Sequence, residues 1–254
     1  MNYRPLNQSL DETSLIHFMN TFYGFGNYAG DYWLVGMEEA GGRTFAEIKK
    51  RLCKWQESGG HELEDLPSHA HKMGRGAKYF GENPKWQPTW GKLIRLVLAA
   101  ERQMGIETAV IKQFQQRRLG RHSSNHCLIE LFPLPAKSAG HWIYAHHSTL
   151  PFLHSRKQYQ TYLAPIRIKH IQQKIKQHQP KAVIFYGWSY RRWWQEIAER
   201  PFTKHDNPKC LTAVTNNTLF IVIDHPATTG VTNLYFEQIG SHLNNQFSKE
   251  QMKS

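Results

Sequence analysis

Residues 32–42 read YWLVGMEEAGG. An apolar run stops at Gly36, two glutamates follow at once, and Gly41 and Gly42 come behind them. The run predicts a short strand covered on both faces, as in parallel sheets. The glycines predict an exit where backbone can approach a ligand closely. Three further stretches share the form: HCLIELF (126–132), KAVIFYG (181–187) and LFIVID (219–224). All but the first of these three are nearly continuously apolar, and turn residues bound them.

Helical patterns fill the intervals. TFAEIKKRLCKW (44–55) places Phe45, Ile48, Leu52 and Trp55 at helical spacing, with Thr44 as N-cap and Gly59–Gly60 as the stop. A second pattern, 89–103, starts after Pro88, and ETAVIKQFQQRR continues beyond Gly105. Others run over 155–178, with an interruption expected near Pro165, over 189–200 and over 233–247. Strands alternating with helices predict an α/β fold in one domain, 1–254: a three-layer α/β/α sandwich around a central, mostly parallel four-stranded sheet. In such sheets the crevice for chemistry lies beyond the carboxyl ends of the strands. Four segments then meet on one edge: 36–39, 130–135, 187–190 and 225–230.

Composition narrows the partners. The chain has 254 residues, 40% of them hydrophobic and 13% aromatic, which suits a folded protein with a large core. Its 32 Lys and Arg against 20 Asp and Glu leave a formal charge of +12. The basic residues are interleaved with aromatic ones, as in SYRRWW, a pattern suited to phosphate contacts and base stacking. Nucleic acid is the expected partner. Cys53, Cys127 and Cys210 are far apart and form no CxxC pair, so reduced, structural thiols are expected. No apolar stretch approaches the roughly 18–20 residues of a membrane span, and the polar start MNYRPLNQSLDETS has no signal core; a cytoplasmic location is expected. His141, His146, His147 and His154 lack acids at ligand spacing, so no metal is expected.

The last strand ends IVIDHPATTG, which sets His225 directly after an apolar run with Pro226 fixing the exit. A histidine there can stabilise a developing anion, or it can be a plain loop residue. Together, GMEEAGG after the first strand and HPATTG after the last resemble the two motifs of the uracil-DNA glycosylase superfamily. IELFPLPA (129–136), KAVIFYG and GAKYFGENPKWQPTWGKLIRLVL are similar to its interior segments, in order, over roughly residues 28–245.

This resemblance implies a monofunctional DNA glycosylase that flips a base and needs no cofactor. It puts Glu38 at the water-positioning residue, with Glu39, at the family's proline, as the working carboxylate if the register shifts by one. A solvated turn is the alternative reading of this acidic pair. His225 would stabilise the departing base. Met37, Tyr79, Phe80 and Glu130 would bind the base, although the aromatic pair could equally be core. Arg75, Lys78, Arg191, Arg192, Thr228 and Thr229 would contact DNA, with no bulky wedge in Thr-Thr-Gly-Val. Three scattered cysteines exclude the iron–sulfur branch.

Glu130 departs from the family's asparagine. An ionised carboxylate only accepts hydrogen bonds, which suits the exocyclic amine of cytosine and repels O4 of uracil. The alternative is that Glu130 pairs with a nearby Arg or Lys and never meets the base. Plain cytosine would be suicidal as a target. The expected substrate is therefore a modified cytosine, such as the hydroxymethylated or glucosylated form in phage DNA, with an abasic-site nuclease downstream. Residues 140–159 offer aromatic and polar groups for a bulky substituent, or simple packing. A uracil or mismatch glycosylase, a binding module without activity, and a small-molecule glycosidase are the rival readings.

Overall fold

The computed structural model describes residues 8–103, 105–138, 140–215 and 217–251; the polar start of the chain, residues 1–7, lies outside them. The strands are β1 (Gly24–Gly26), β2 (Tyr32–Gly36), β3 (Leu63–Glu64), β4 (His126–Glu130), β5 (Ala182–Tyr186), β6 (Thr203–Asp206), β7 (Lys209–Val214) and β8 (Leu219–Ile223). The helices are α1 (Glu12–Thr21), α2 (Phe45–Glu57), α3 (Leu66–Lys72), α4 (Gly76–Phe80), α5 (Pro88–Ala100), α6 (Thr108–Arg117), α7 (Arg156–His178), α8 (Arg191–Ala198) and α9 (Asn233–Gln251).

The fold is α/β, and its sheet corrects the four-stranded expectation. Among the described residues eight strands lie in the order β3-β1-β4-β2-β5-β8-β7-β6. The four strands read from the sequence are the central block, β4-β2-β5-β8, and each neighbouring pair in it is parallel. In β2, β5 and β8 every residue is buried, which is why these segments read as unbroken apolar runs.

The flanks make the sheet mixed. On one side β1 pairs antiparallel with β4 and parallel with β3. On the other, β7 pairs antiparallel with β8, and β6 antiparallel with β7. None of these four carries a strong local signal. GFG and LE are too short to show a period, β7 is buried only in part with both ends exposed, and β6 (TKHD) is an exposed polar edge, which discourages pairing with other chains.

The helices begin as their caps dictate. Thr44 accepts from the Glu47 amide at the start of α2, Asp65 from Ser68 at α3, and Ser155 from Gln158 at α7. Pro165 does not interrupt α7, contrary to expectation: the helix runs unbroken for 23 residues. Pro165 and Thr161, whose carbonyl the proline leaves unpaired, both face solvent, so water can satisfy the lost bond. No helix among the described residues is long and apolar enough to cross a membrane.

Candidate active site

The parallel register decides what the strand ends share. Gly36 at the end of β2 lies opposite Glu130 at the end of β4. Pairing continues past the strands: the Leu131 and Phe132 amides donate to the carbonyls of Gly36 and Met37, at 2.8 and 2.7 Å. Ala40 then bridges Ala136. Glu38 and Glu39 are thereby held beside the chain that carries Glu130. A cavity of about 280 Å³ opens there, reached by Glu38, Glu39, Glu130, Tyr186 and His225 from the carboxyl ends of four parallel strands. Its size approaches the roughly 300–1,000 Å³ typical of small-ligand sites.

Gly36 has a specific packing task. A Cβ at this position would lie 2.3 Å from the Tyr186 hydroxyl, so only glycine lets the phenol of β5 cross β2. Tyr186 thereby donates to Oε1 of Glu130 at 3.2 Å. Gly42 has a left-handed φ of 61°, and a Cβ on it would meet the Pro135 carbonyl at 2.2 Å. This glycine serves close packing against the 130–136 segment.

The three carboxyl groups have different partners and different charge states. Glu39 accepts two bonds from Arg51, at 2.6 and 3.2 Å. Arg51 projects from the buried face of α2 beside Ile48, Leu52 and Trp55. Burial alone would raise the Glu39 pKa, but Arg51, helped by Arg75, reverses the effect and holds it below the ordinary value. Glu39 is thus a fixed anion.

Glu38 accepts from Arg156, at the start of α7, through Oε1, whereas Oε2 is buried with no partner. Burial outweighs the guanidinium and lifts its pKa to about 6. Glu130 is the most perturbed of the three. Burial first, then the charges of Glu39 and Glu38, push it up to about 8 against the smaller opposing effect of the Tyr186 bond. Among the described residues its side chain pairs with no Arg or Lys, and Oε2 is buried without a partner. Arg167, itself buried, takes the backbone instead: its guanidinium donates to the carbonyls of Glu130, Leu131 and Met19 at 2.6–2.9 Å, fixing the end of β4.

His225 follows β8 and lies half-buried, with its ring 5.6 Å from that of Tyr186. The Ala227 amide donates to its Nδ1 at 3.0 Å. A backbone N–H can only donate, so Nδ1 must be the acceptor, and the proton of the neutral ring resides on Nε2. Burial and the nearby Lys92 ammonium lower the pKa of His225 and favour that neutral form. Lys92, on α5, also clamps the loop by donating to the carbonyls of Pro226 and Val231 at 2.7 and 2.8 Å.

The remaining predicted residues are distributed unevenly. Tyr79 lines the cavity, with Trp90 beside it at 5.5 Å, a wall residue the sequence did not single out. Phe80 is buried against Trp90, and Met37 is buried; neither lines the cavity. Arg75 reaches the rim and pairs with Glu47 at 2.8 Å, and Lys78 sits over the Tyr79 ring. Arg191 and Arg192 begin α8 outside the cavity lining, and Arg192 covers the Trp193 ring. Thr228 and Thr229 are exposed in the turn closed by the Thr228 amide and the His225 carbonyl.

Residues 140–159 pack rather than line the cavity. Trp142 donates to the Leu153 carbonyl, Tyr144 to that of Pro135, and Tyr159 accepts from the Leu134 amide. Among the described residues no group of three or more His, Cys, Asp or Glu could hold a metal, and the three cysteines are free thiols.

Arg51 had a readable signal, a cation on the apolar stripe of a helix; Arg156, Tyr186 and Arg167 had none that was local. No family model, curated protein or solved structure matches the chain.

Proposed function

We propose that this protein is a monofunctional DNA glycosylase that flips out a modified cytosine and hydrolyses its N-glycosidic bond. The observation that supports it best is the cavity's set of opposed groups. Glu38 brings a carboxyl with one free oxygen, His225 a neutral ring with its proton on Nε2, and Glu130 a carboxyl that keeps its proton at pH 7. The +12 charge supplies the affinity for a polyanion, and the helix–sheet–helix sandwich of the uracil-DNA glycosylase superfamily is the architecture this reading assumes.

In the reaction, a water at Oε2 of Glu38 loses its proton to that carboxylate as its oxygen bonds to C1′. The C1′–N1 bond breaks, and its electron pair leaves with the base. The anionic Glu39 offsets positive charge on the sugar, as carboxylates do in glycoside hydrolysis. His225 donates through Nε2 to O2 of the departing base.

Glu130 takes a different part from the pure acceptor expected of an ionised side chain. As a neutral acid it has one donor and one acceptor, so it can pair with the edge of cytosine or of uracil. Cytosine gains more, because its N3 is an acceptor that can receive the Glu130 proton as the base leaves. In uracil N3 already carries hydrogen. The target is a modified form, hydroxymethylcytosine or its glucosylated derivative in phage DNA, and the products are a free base and an abasic site for a nuclease to process.

The test is to incubate the protein with oligonucleotides containing uracil, hydroxymethylcytosine or glucosylated hydroxymethylcytosine and to score strand breaks after alkali. Breaks at the cytosine derivatives are expected, with Glu38→Gln reducing the rate by roughly 10²–10⁴-fold. Breaks at uracil alone would overturn the choice of base. Tight DNA binding without breaks on any substrate would overturn the enzyme reading in favour of a binding module.

A further inference from the structure

The cavity contains a second histidine that the proposed reaction does not use. Glu64 closes β3, Asp65 caps α3, and one turn into that helix stands His69. Both Glu64 and His69 are 5% exposed, and His69 Nδ1 lies 2.5 Å from Glu64 Oε2. The ring is wedged edge-on against Phe25 at 5.1 Å and parallel to Phe22 at 6.4 Å. Its Nε2 is buried and has no hydrogen-bond partner, while the residue lines the cavity wall together with Leu66, Ala70 and Met73. A carboxylate beside Nδ1 makes that nitrogen the donor, which leaves the lone pair of the neutral ring on Nε2. This is the reverse of His225, where the backbone donor puts the proton on Nε2. In their neutral forms the two imidazoles therefore present opposite groups to the cavity, His225 a donor and His69 an acceptor.

We propose that His69 is a specificity residue, and that its Nε2 accepts a hydrogen bond from an O–H or N–H group on the bound base. Glu64 acts as a positioning residue by holding the accepting tautomer. An unpartnered acceptor in an otherwise apolar wall penalises any ligand without a matching donor. Two groups of the proposed substrate have this chemistry: the hydroxyl of a 5-hydroxymethyl substituent and the exocyclic amine of cytosine. The inference rests on the glycosylase reading for the identity of the ligand, but not for the state of the ring.

Three oligonucleotides distinguish the two sources: 5-hydroxymethylcytosine, 5-methylcytosine, which lacks the hydroxyl, and 5-hydroxymethyluracil, which lacks the amine. Cleavage by the wild-type protein should favour the first by roughly tenfold or more in kcat/KM over the analogue missing the donor that His69 reads. His69→Phe should reduce that preference to within about threefold, because the unmet acceptor is gone. Loss of preference against 5-methylcytosine assigns the hydroxyl, and against 5-hydroxymethyluracil the amine. Unchanged preferences in both comparisons overturn the proposal.

A measurement on the wild-type chain covers the cases of a misfolded variant and an inactive enzyme. In ¹⁵N spectra the His69 Nε2 should show an unprotonated nitrogen that shifts on adding the 5-hydroxymethylcytosine oligonucleotide. Glu64→Gln, which keeps an acceptor, should preserve that signal, and Glu64→Leu should lose it. A protonated Nε2, or no shift with bound oligonucleotide, overturns the inference. A shift without cleavage leaves the inference standing and sinks the glycosylase reading alone.

Discussion

Glu130→Gln tests the central physical statement about the site, that Glu130 is neutral in the folded protein. In the unfolded chain its pKa returns to the ordinary 4.5, whereas in the folded state it is about 8. Below pH 4.5 both states carry the proton and the group contributes no penalty. As pH rises toward 8 the unfolded chain ionises while the folded chain stays protonated, and folding loses free energy throughout that window. At 1.36 kcal/mol per pKa unit, the loss amounts to about 3 kcal/mol at pH 7 and about 5 kcal/mol above pH 8. Glutamine does not titrate and keeps an acceptor for Tyr186. The variant should therefore gain stability relative to wild type by these amounts as pH rises from 4 to 9. Urea denaturation of both proteins across that range measures the difference, from which the common titration of other groups largely cancels. A difference that stays flat within about 1 kcal/mol from pH 4 to 9 would refute the buried, neutral carboxyl, and with it the proton that the proposed mechanism gives to the base.

Activity should be bell-shaped in pH, rising through about 6 as Glu38 ionises and falling through about 8 as Glu130 loses its proton. In a pH–kcat series Tyr186→Phe should move the alkaline limb upward, because the lost hydrogen bond favours the charged form of Glu130; a downward move would contradict the assignment. Arg51→Met strips Glu39 of both its bonds and should destabilise the fold by roughly 2–4 kcal/mol, below the full cost of breaking a buried pair because Glu39 is 28% exposed. A loss under about 1 kcal/mol by denaturant titration would reduce this pair to an ordinary surface contact. Gly36→Ala forces the Tyr186 phenol away from Glu130 and should cost about 1–3 kcal/mol as well as most of the activity; normal melting and turnover would show that the crossing is dispensable.

The partnership of Glu39 with Arg51 bears on how a basic protein keeps acids in its cleft. Three carboxyl groups in one cavity would repel each other if all were ionised. Here two guanidinium groups, from α2 and α7, face Glu39 and Glu38, and the third acid resolves the conflict by keeping its proton. The same division gives three residues of one type three different proton affinities.

The sequence by itself determined the central strands and the residues at their ends. A strand buried on both faces must be apolar throughout, so the stretches 32–36, 181–187 and 219–224 declared themselves locally, and the parallel rule then selected Glu38, Glu130 and His225. The flanking strands stayed hidden because three residues, two residues and a polar edge have no period to read. Only the tertiary structure decided the chemistry of each group. Charge state depends on burial and on partners that lie far away in the chain, as Arg156 does from Glu38 at 118 residues and Tyr186 from Glu130 at 56. Glu39 became a fixed anion, Glu130 a neutral acid and His69 a buried ring paired with Glu64 through contacts that residue identity and spacing do not encode.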